Sequence, residues 1–98
     1  MKRFQDQVAI ITGGADGLGK GIAERIASEG GTIALFDINN DLLKKVVDQF
    51  KLKEYKVSGH LVDVSAEEMV IKSIAEVEAL YGRIDIMVNS AGIVGPTS

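Results

Sequence analysis

Gln7 to Thr12 is a short, mostly apolar run that ends abruptly at Gly13 and Gly14, and beyond the glycines the spacing changes. Ile22, Ala23, Ile26 and Ala27 then recur at helical intervals until Gly30 and Gly31. Consecutive apolar residues over so short a run fit a strand buried on both faces, as in the interior of a parallel sheet. A buried strand, a glycine turn and an amphipathic helix in direct succession narrow the architectures open to the chain more than any other feature, because they open a β-α-β unit.

The rest of the sequence repeats the alternation. Thr32 to Asp37 is a second apolar run. Asn40 or Asn39 can cap a helix whose Leu42, Leu43, Val46, Val47 and Phe50 form one stripe, with Lys44, Lys45 and Asp48 outward. From Tyr55 to Asp63 the pattern is a two-residue alternation, with Tyr55, Val57, Gly59 and Leu61 on one side and Lys56, Ser58, His60 and Val62 on the other. That suits a partly solvated edge strand, on which His60 is a solvated or locally bonded residue. Ser65-Ala66-Glu67-Glu68 has the S-x-x-E form of a capping box, followed by Val70, Ile74, Val77 and Tyr81 on one helical face and Gly82 as a stop. Ile84 to Asn89 is a fourth strand, and Ser90 to Ser98 is a loop of small residues.

The order β-α-β-α-β-α-β predicts the α/β class, with a doubly wound parallel sheet and helices on both faces. The fourth strand is almost wholly apolar, as central strands are, yet too few residues follow it to cover its far edge. Residues 1–98 therefore read as the front part of one larger domain.

Composition removes several classes of function. A chain of 98 residues allows one domain at most, and 46% hydrophobic with 26% charged residues is ordinary for a soluble globular protein. With no Cys there is neither a disulfide framework nor a thiolate-held metal. No apolar run approaches the ~20 residues that span a bilayer. Lys2 and Arg3 precede no apolar stretch long enough for an export signal, so the reading places the protein in the cytoplasm and off the membrane. A net charge of -3 without a basic cluster lacks the footprint of a nucleic-acid binder.

The chemistry concentrates in Thr12-Gly13-Gly14-Ala15-Asp16-Gly17-Leu18-Gly19. At the junction of a strand and a helix, exposed N–H groups and the helix dipole favour a phosphate or diphosphate, provided no side chain blocks the backbone. Gly13, Gly17 and Gly19 supply that access, the tight turn and close packing of helix on strand. The loop alone fits a plain turn equally well, one that needs glycine only for positive φ. Asp37 shifts the balance. It ends the second strand 37 − 19 = 18 positions past the last glycine, near the ~20 at which a dinucleotide-binding unit sets a carboxylate on the adenosine ribose. A carboxylate there accepts from both ribose hydroxyls and repels a 2′-phosphate, which favours NAD over NADP. A bare turn cap remains the other role for Asp37.

These residues resemble the short-chain dehydrogenase/reductases. The family's T-G-x-x-x-G-x-G is matched by Thr12, Gly13, Gly17 and Gly19, and its acidic residue after the second strand by Asp37. Its Asp-Val pair after the third strand is matched by Asp63-Val64, and its N-N-A-G by Asn89-Ser90-Ala91-Gly92, with Ser in the second position. The resemblance implies strand order 3-2-1-4 and hydride transfer between nicotinamide and an alcohol or ketone. It places Gly13, Ala15, Asp16, Gly17, Leu18 and Gly19 of the loop against the cofactor, together with Asp37 and Ile38. Asp63 bonds the adenine amino group, Val64 gives backbone contacts to the ring, and Ala91 and Gly92 pass beside the cofactor ribose. Asn89 mainly ties neighbouring strands. Asp16 stands where NADP-preferring relatives often carry a basic residue, which again points to NAD. The family commonly assembles as dimers and tetramers, implying a homo-oligomer at full length.

The family's proton transfer requires a Ser and a Tyr-x-x-x-Lys pair. Tyr55 is followed at that spacing by Gly59 and Tyr81 by Asp85, so these 98 residues are expected to bind the cofactor without turning it over. Two rivals stand beside this reading. One is a non-enzymatic dinucleotide-binding or interaction module. The other is a P-loop hydrolase, since Gly14 to Lys20 nearly spells that motif, but Gly21 occupies the place of the hydroxyl that must hold magnesium.

Overall fold

The computed structural model describes residues 3–90. Its order is β1 Val8–Thr12, α1 Gly17–Ser28, β2 Thr32–Asp37, α2 Asn40–Leu52, β3 Lys56–Leu61, α3 Glu67–Tyr81 and β4 Ile86–Asn89. The strands form one sheet in the order β3-β2-β1-β4, and every pairing is parallel. This is the doubly wound α/β arrangement and the strand order expected from the sequence.

The two faces of the sheet have separate cores. Along β1 and β2, Ala9, Ile11, Ile33 and Leu35 point to one side, where Ala23, Ile26 and Ala27 of α1 and Leu43, Val46 and Phe50 of α2 close over them. Val8, Ile10, Ala34 and Phe36 point to the other side and pack with Val62 and with Val77 of α3. The period of two along a strand thus sorts alternate residues into two layers, which is why both central strands read as continuous apolar runs.

The termini follow local chemistry. Asn39 caps α2, its side-chain oxygen accepting from the Leu42 N–H at 3.0 Å. Gly82 ends α3 in the left-handed region at φ 83°. The capping box at Ser65 does not form. The helix begins one residue later than that motif requires, so Ala66 is the cap and offers no side-chain bond, while the Ser65 hydroxyl is drawn to the Asp63 carboxylate at 2.6 Å. Glu67 and Glu68 still lie in the first turn, where they complement the helix dipole.

Two strands are shorter than the sequence pattern suggests. β3 is limited to the register Thr32 with Lys56 through Asp37 with Leu61, so its length is that of β2. β4 begins at Ile86, just after Asp85, whose N–H donates to the Val8 carbonyl oxygen at 2.9 Å while its carboxylate accepts from the Val8 N–H at 2.8 Å and from Nε and Nη2 of Arg83. Met87 on β4 is 51% exposed, an apolar side chain in the open at the sheet edge.

His60 is half-buried on β3, with its Nε2 2.9 Å from the Ser58 hydroxyl and its ring 5.4 Å from that of Phe36. Burial pushes its pKa below the ordinary 6.5, against a weaker upward pull from Glu76. The unfolded chain therefore takes up the proton first as pH falls. Stability is expected to decline from about pH 6.5 downward, and His60→Gln should flatten that slope in urea titrations between about pH 7 and 5. An unchanged slope in the variant would remove His60 from the acid response.

Candidate functional site

All four strands are parallel, so their C-terminal ends share one edge of the sheet, and at β1 the chain crosses from that edge into α1. Thr12 is level with Phe36 on one side and with Asn89 on the other, and Asp37 is level with Leu61. A crevice outside the carboxyl ends of parallel strands is where open α/β sheets bind ligands.

The loop between β1 and α1 is shaped by its glycines. Gly13 and Gly17 take φ values of 67° and 52°, conformations that side chains resist. Gly19 has an ordinary backbone, but α1 comes so close that a Cβ there would stand 2.2 Å from the Gly13 carbonyl oxygen. Gly13 and Gly14 both donate to the Phe36 carbonyl oxygen, at 2.7 and 3.2 Å, and Ala15 donates to Asp37 Oδ2 at 3.0 Å. On the opposite side the Ser90 hydroxyl donates to the Thr12 carbonyl oxygen and lies 3.4 Å from that of Gly13. Asp16 caps α1: its Oδ1 accepts from Gly17 at 2.8 Å and its carbonyl from Lys20 at 3.2 Å. Of the four N–H groups that the first turn cannot pair internally, those of Leu18 and Gly19 have no partner among the described residues, so the start of the helix offers two donors to an anion.

Beside the loop lies a cleft of about 100 Å³ lined by Gly13, Phe36, Asp37, Ile38, Val62, Asp63 and Val64. It brings together three of the sequence motifs: the first loop glycine, the pair Asp37 and Ile38, and the pair Asp63 and Val64. Ile38 and Val64 are 66% and 43% exposed, apolar side chains in the open at the cleft. Larger hollows of about 590 and 530 Å³ lie on the flank of α1 beside Phe4 and along α2 and β3. Neither is lined by loop donors with the two carboxylates.

The carboxylates differ in how they are held. Asp37 uses Oδ2 for Ala15 and Oδ1 for the Asn39 N–H at 3.0 Å. An ionised carboxylate has about four lone-pair sites, so two backbone bonds leave acceptor capacity. The Asp63 Oδ1 accepts from the hydroxyl and the backbone N–H of Ser65, and these two bonds hold its carboxyl below the ordinary carboxylate pKa. Asp63 is thus fixed as an ionised acceptor.

Asn89 stands apart from the cleft. Its Oδ1 accepts from the Thr12 hydroxyl at 2.9 Å, tying β4 to β1. Leu18 is 61% exposed on the first turn of α1. Ala91 and Gly92 lie outside the described residues. Sequence reasoning missed Phe36 and Val62 as lining residues, and missed the part played by Ser90. Phe36 acts through its backbone carbonyl, which leaves no mark in a sequence. Ser90 did carry a signal, as the single departure from the N-N-A-G motif. Among the described residues no three His, Asp or Glu side chains form a metal-binding group, and no helix is long and apolar enough to cross a membrane.

The family model for short chain dehydrogenase matches residues 7–98. A diacetyl reductase ((S)-acetoin forming) of Staphylococcus epidermidis is 46% identical over 91 residues, which cover 89% of this chain and 34% of that protein. A 2-dehydro-3-deoxy-L-rhamnonate dehydrogenase (NAD(+)) of a Sphingomonas species is 40% identical over 97 residues, 97% of this chain and 36% of the relative. Among solved structures, a short chain dehydrogenase/reductase from Burkholderia phymatum in complex with NAD superposes with a TM-score of 0.84 at 30% identity, over 89% of this chain and 31% of that one. The chain spans about a third of the length of the relatives it matches.

Proposed function

The chain belongs to the short-chain dehydrogenase family, and on that premise we propose that it supplies the cofactor-binding part of an NAD-dependent oxidoreductase acting on a small alcohol or ketone. When bound, the dinucleotide supplies a hydride acceptor or donor at its nicotinamide ring. The residues of this chain bind and orient it. The N–H groups of Leu18 and Gly19 face the diphosphate at the positive end of α1. Asp37 takes the adenosine ribose hydroxyls, Asp63 accepts from the adenine amino group, and Ile38 and Val64 flank the ring. The glycines fit this ligand, since nothing lies within 4 Å of a would-be Cβ at Gly17, Gly13 takes a positive φ that side chains resist, and α1 lies directly on the loop.

The observation that carries the reading is the Asp37 carboxylate in one cleft with Gly13 and Asp63. It also underlies the choice of NAD. A 2′-phosphate on the ribose would be driven against Asp37 with no Lys or Arg among the described residues that line the cleft, and Asp16 adds a second negative charge at the helix start. Asp37→Ala should weaken NAD binding by ~1 to 3 kcal/mol, the range for a hydrogen bond to a charged group, and reduce the preference over NADP. Calorimetric titration of both nucleotides reads this directly; unchanged relative affinities would remove Asp37 from the ribose site.

Catalysis by the whole protein requires a proton-transfer Tyr and Lys that these 98 residues do not provide. The purified chain is therefore expected to bind NAD yet to produce no rise in NADH absorbance with any alcohol. Reduction of NAD by this chain would overturn that assignment.

A further inference from the structure

Three successive loop N–H groups aim at the end of β2. Those of Gly13 and Gly14 reach the Phe36 carbonyl oxygen, a backbone acceptor that any residue would supply. The third, from Ala15, reaches a side chain, Asp37 Oδ2 at 3.0 Å. Ala15 is 1% exposed, so without Asp37 its N–H would lose its acceptor away from water. The carboxylate is itself oriented, since its other oxygen accepts from the Asn39 N–H at 3.0 Å. From the other side the Ser90 hydroxyl holds the Thr12 carbonyl oxygen. The loop is thereby gripped by opposite chemistries, an acceptor from β2 on its N–H and a donor from the end of β4 on its carbonyl.

We infer that Asp37 is a positioning residue for the diphosphate-binding loop as well as a ribose ligand: by holding Ala15 it sets the angle at which the chain enters α1, and with it the aim of the Leu18 and Gly19 N–H groups. The inference rests on the nucleotide-binding reading above and adds to it a distinct consequence. A ligand without ribose hydroxyls gains nothing from a carboxylate that acts on the ribose alone. It gains from a carboxylate that holds the loop.

The test compares ADP with 2′,3′-dideoxy-ADP on the 98-residue protein and its Asp37→Ala and Asp37→Asn variants, alongside amide hydrogen exchange. In Asp37→Ala the affinity for dideoxy-ADP should fall by about tenfold, the size of one lost hydrogen bond. The Ala15 amide should exchange at least about tenfold faster while the Ile10 and Ile11 amides of β1 keep their rates. Asp37→Asn retains one acceptor oxygen and should recover much of the Ala15 protection. Dideoxy-ADP binding that is equal in wild type and Asp37→Ala, with only ADP weakened, overturns the positioning role. If neither nucleotide binds the wild type, the cofactor reading fails, and Ala15 exchange alone then decides the loop contact. Exchange unchanged in the variants, or raised equally at Ala15 and in β1, overturns it.

Discussion

Gly19→Ala is expected to abolish nucleotide binding and to destabilise the fold by about 1 to 3 kcal/mol, although helix propensity alone favours the substitution by up to ~1 kcal/mol. The packing decides the sign. A Cβ at position 19 would lie 2.2 Å from the carbonyl oxygen and 2.9 Å from the carbonyl carbon of Gly13, and 2.4 Å from the Ser90 hydroxyl. The first two are backbone atoms and cannot rotate away, so either α1 moves off the sheet or the loop unwinds. Either movement disturbs the bonds from Gly13 and Gly14 to Phe36 and from Ser90 to Thr12, together with the aim of the Leu18 and Gly19 N–H groups. Gly21 provides the control on the same helix. It is exposed, with nothing within 4 Å of its would-be Cβ, so Gly21→Ala should stabilise by about 0.5 to 1 kcal/mol through helix propensity and a less flexible unfolded chain. Urea midpoints and NAD titrations of the two variants check both signs. Equal midpoints would mean that α1 does not approach the loop so closely.

The contrast between these two glycines shows where the sequence is legible. Both lie in the same helical stretch, and nothing in their immediate neighbours says which one faces the Gly13 carbonyl. The motif spacing singles out Gly19, but the reason is a contact between residues six apart, made only when the helix lies on its strand. The central strands were readable because burial on both faces forces continuous apolar runs, and α2 because its stripe is followed by few competing patterns. The ends were harder. Ser65 looked like a cap until Asp63, two residues back, took its hydroxyl. β3 looked longer because its alternation continues to Asp63, whereas pairing stops where β2 runs out at Asp37. In the site, Gly13, Asp37 and Asp63 were each legible as candidates from motif spacing, and the parallel strands bring their C-terminal ends to one cleft. The spacing did not foretell the grip on the loop. The Phe36 carbonyl, the Asp37 bond to Ala15 and the Ser90 bond to Thr12 all depend on backbone atoms whose positions follow from the register, and register is a tertiary property.

Phe36 joins that site to the core, and its truncation is expected to have the largest effect of any single side chain. The residue is 0% exposed and packs on the α3 face with Val8, Ile10, Ala34, Val62 and Val77. Phe→Ala at such a position costs about 3 to 5 kcal/mol, a large share of the roughly 5 to 15 kcal/mol that holds a domain of this size together. Phe50 offers a matched comparison on the opposite face. It is equally buried, packs edge-on to Tyr55 at 5.7 Å, and sits at the end of α2, where the chain turns towards the start of β3. Both variants should lose several kcal/mol in urea unfolding at 10 °C, where about half or more of each population must stay folded for binding to be read. The binding should then differ. Phe36 borders the cleft with Val62, and its carbonyl holds Gly13 and Gly14, so a cavity left by its buried ring loosens β2 where the loop is anchored. NAD affinity corrected for the folded fraction should fall in Phe36→Ala and hold in Phe50→Ala. Equal corrected affinities in the two variants would show that the loop is held from above, by Asp37 and Ser90, with no help from the packing under it.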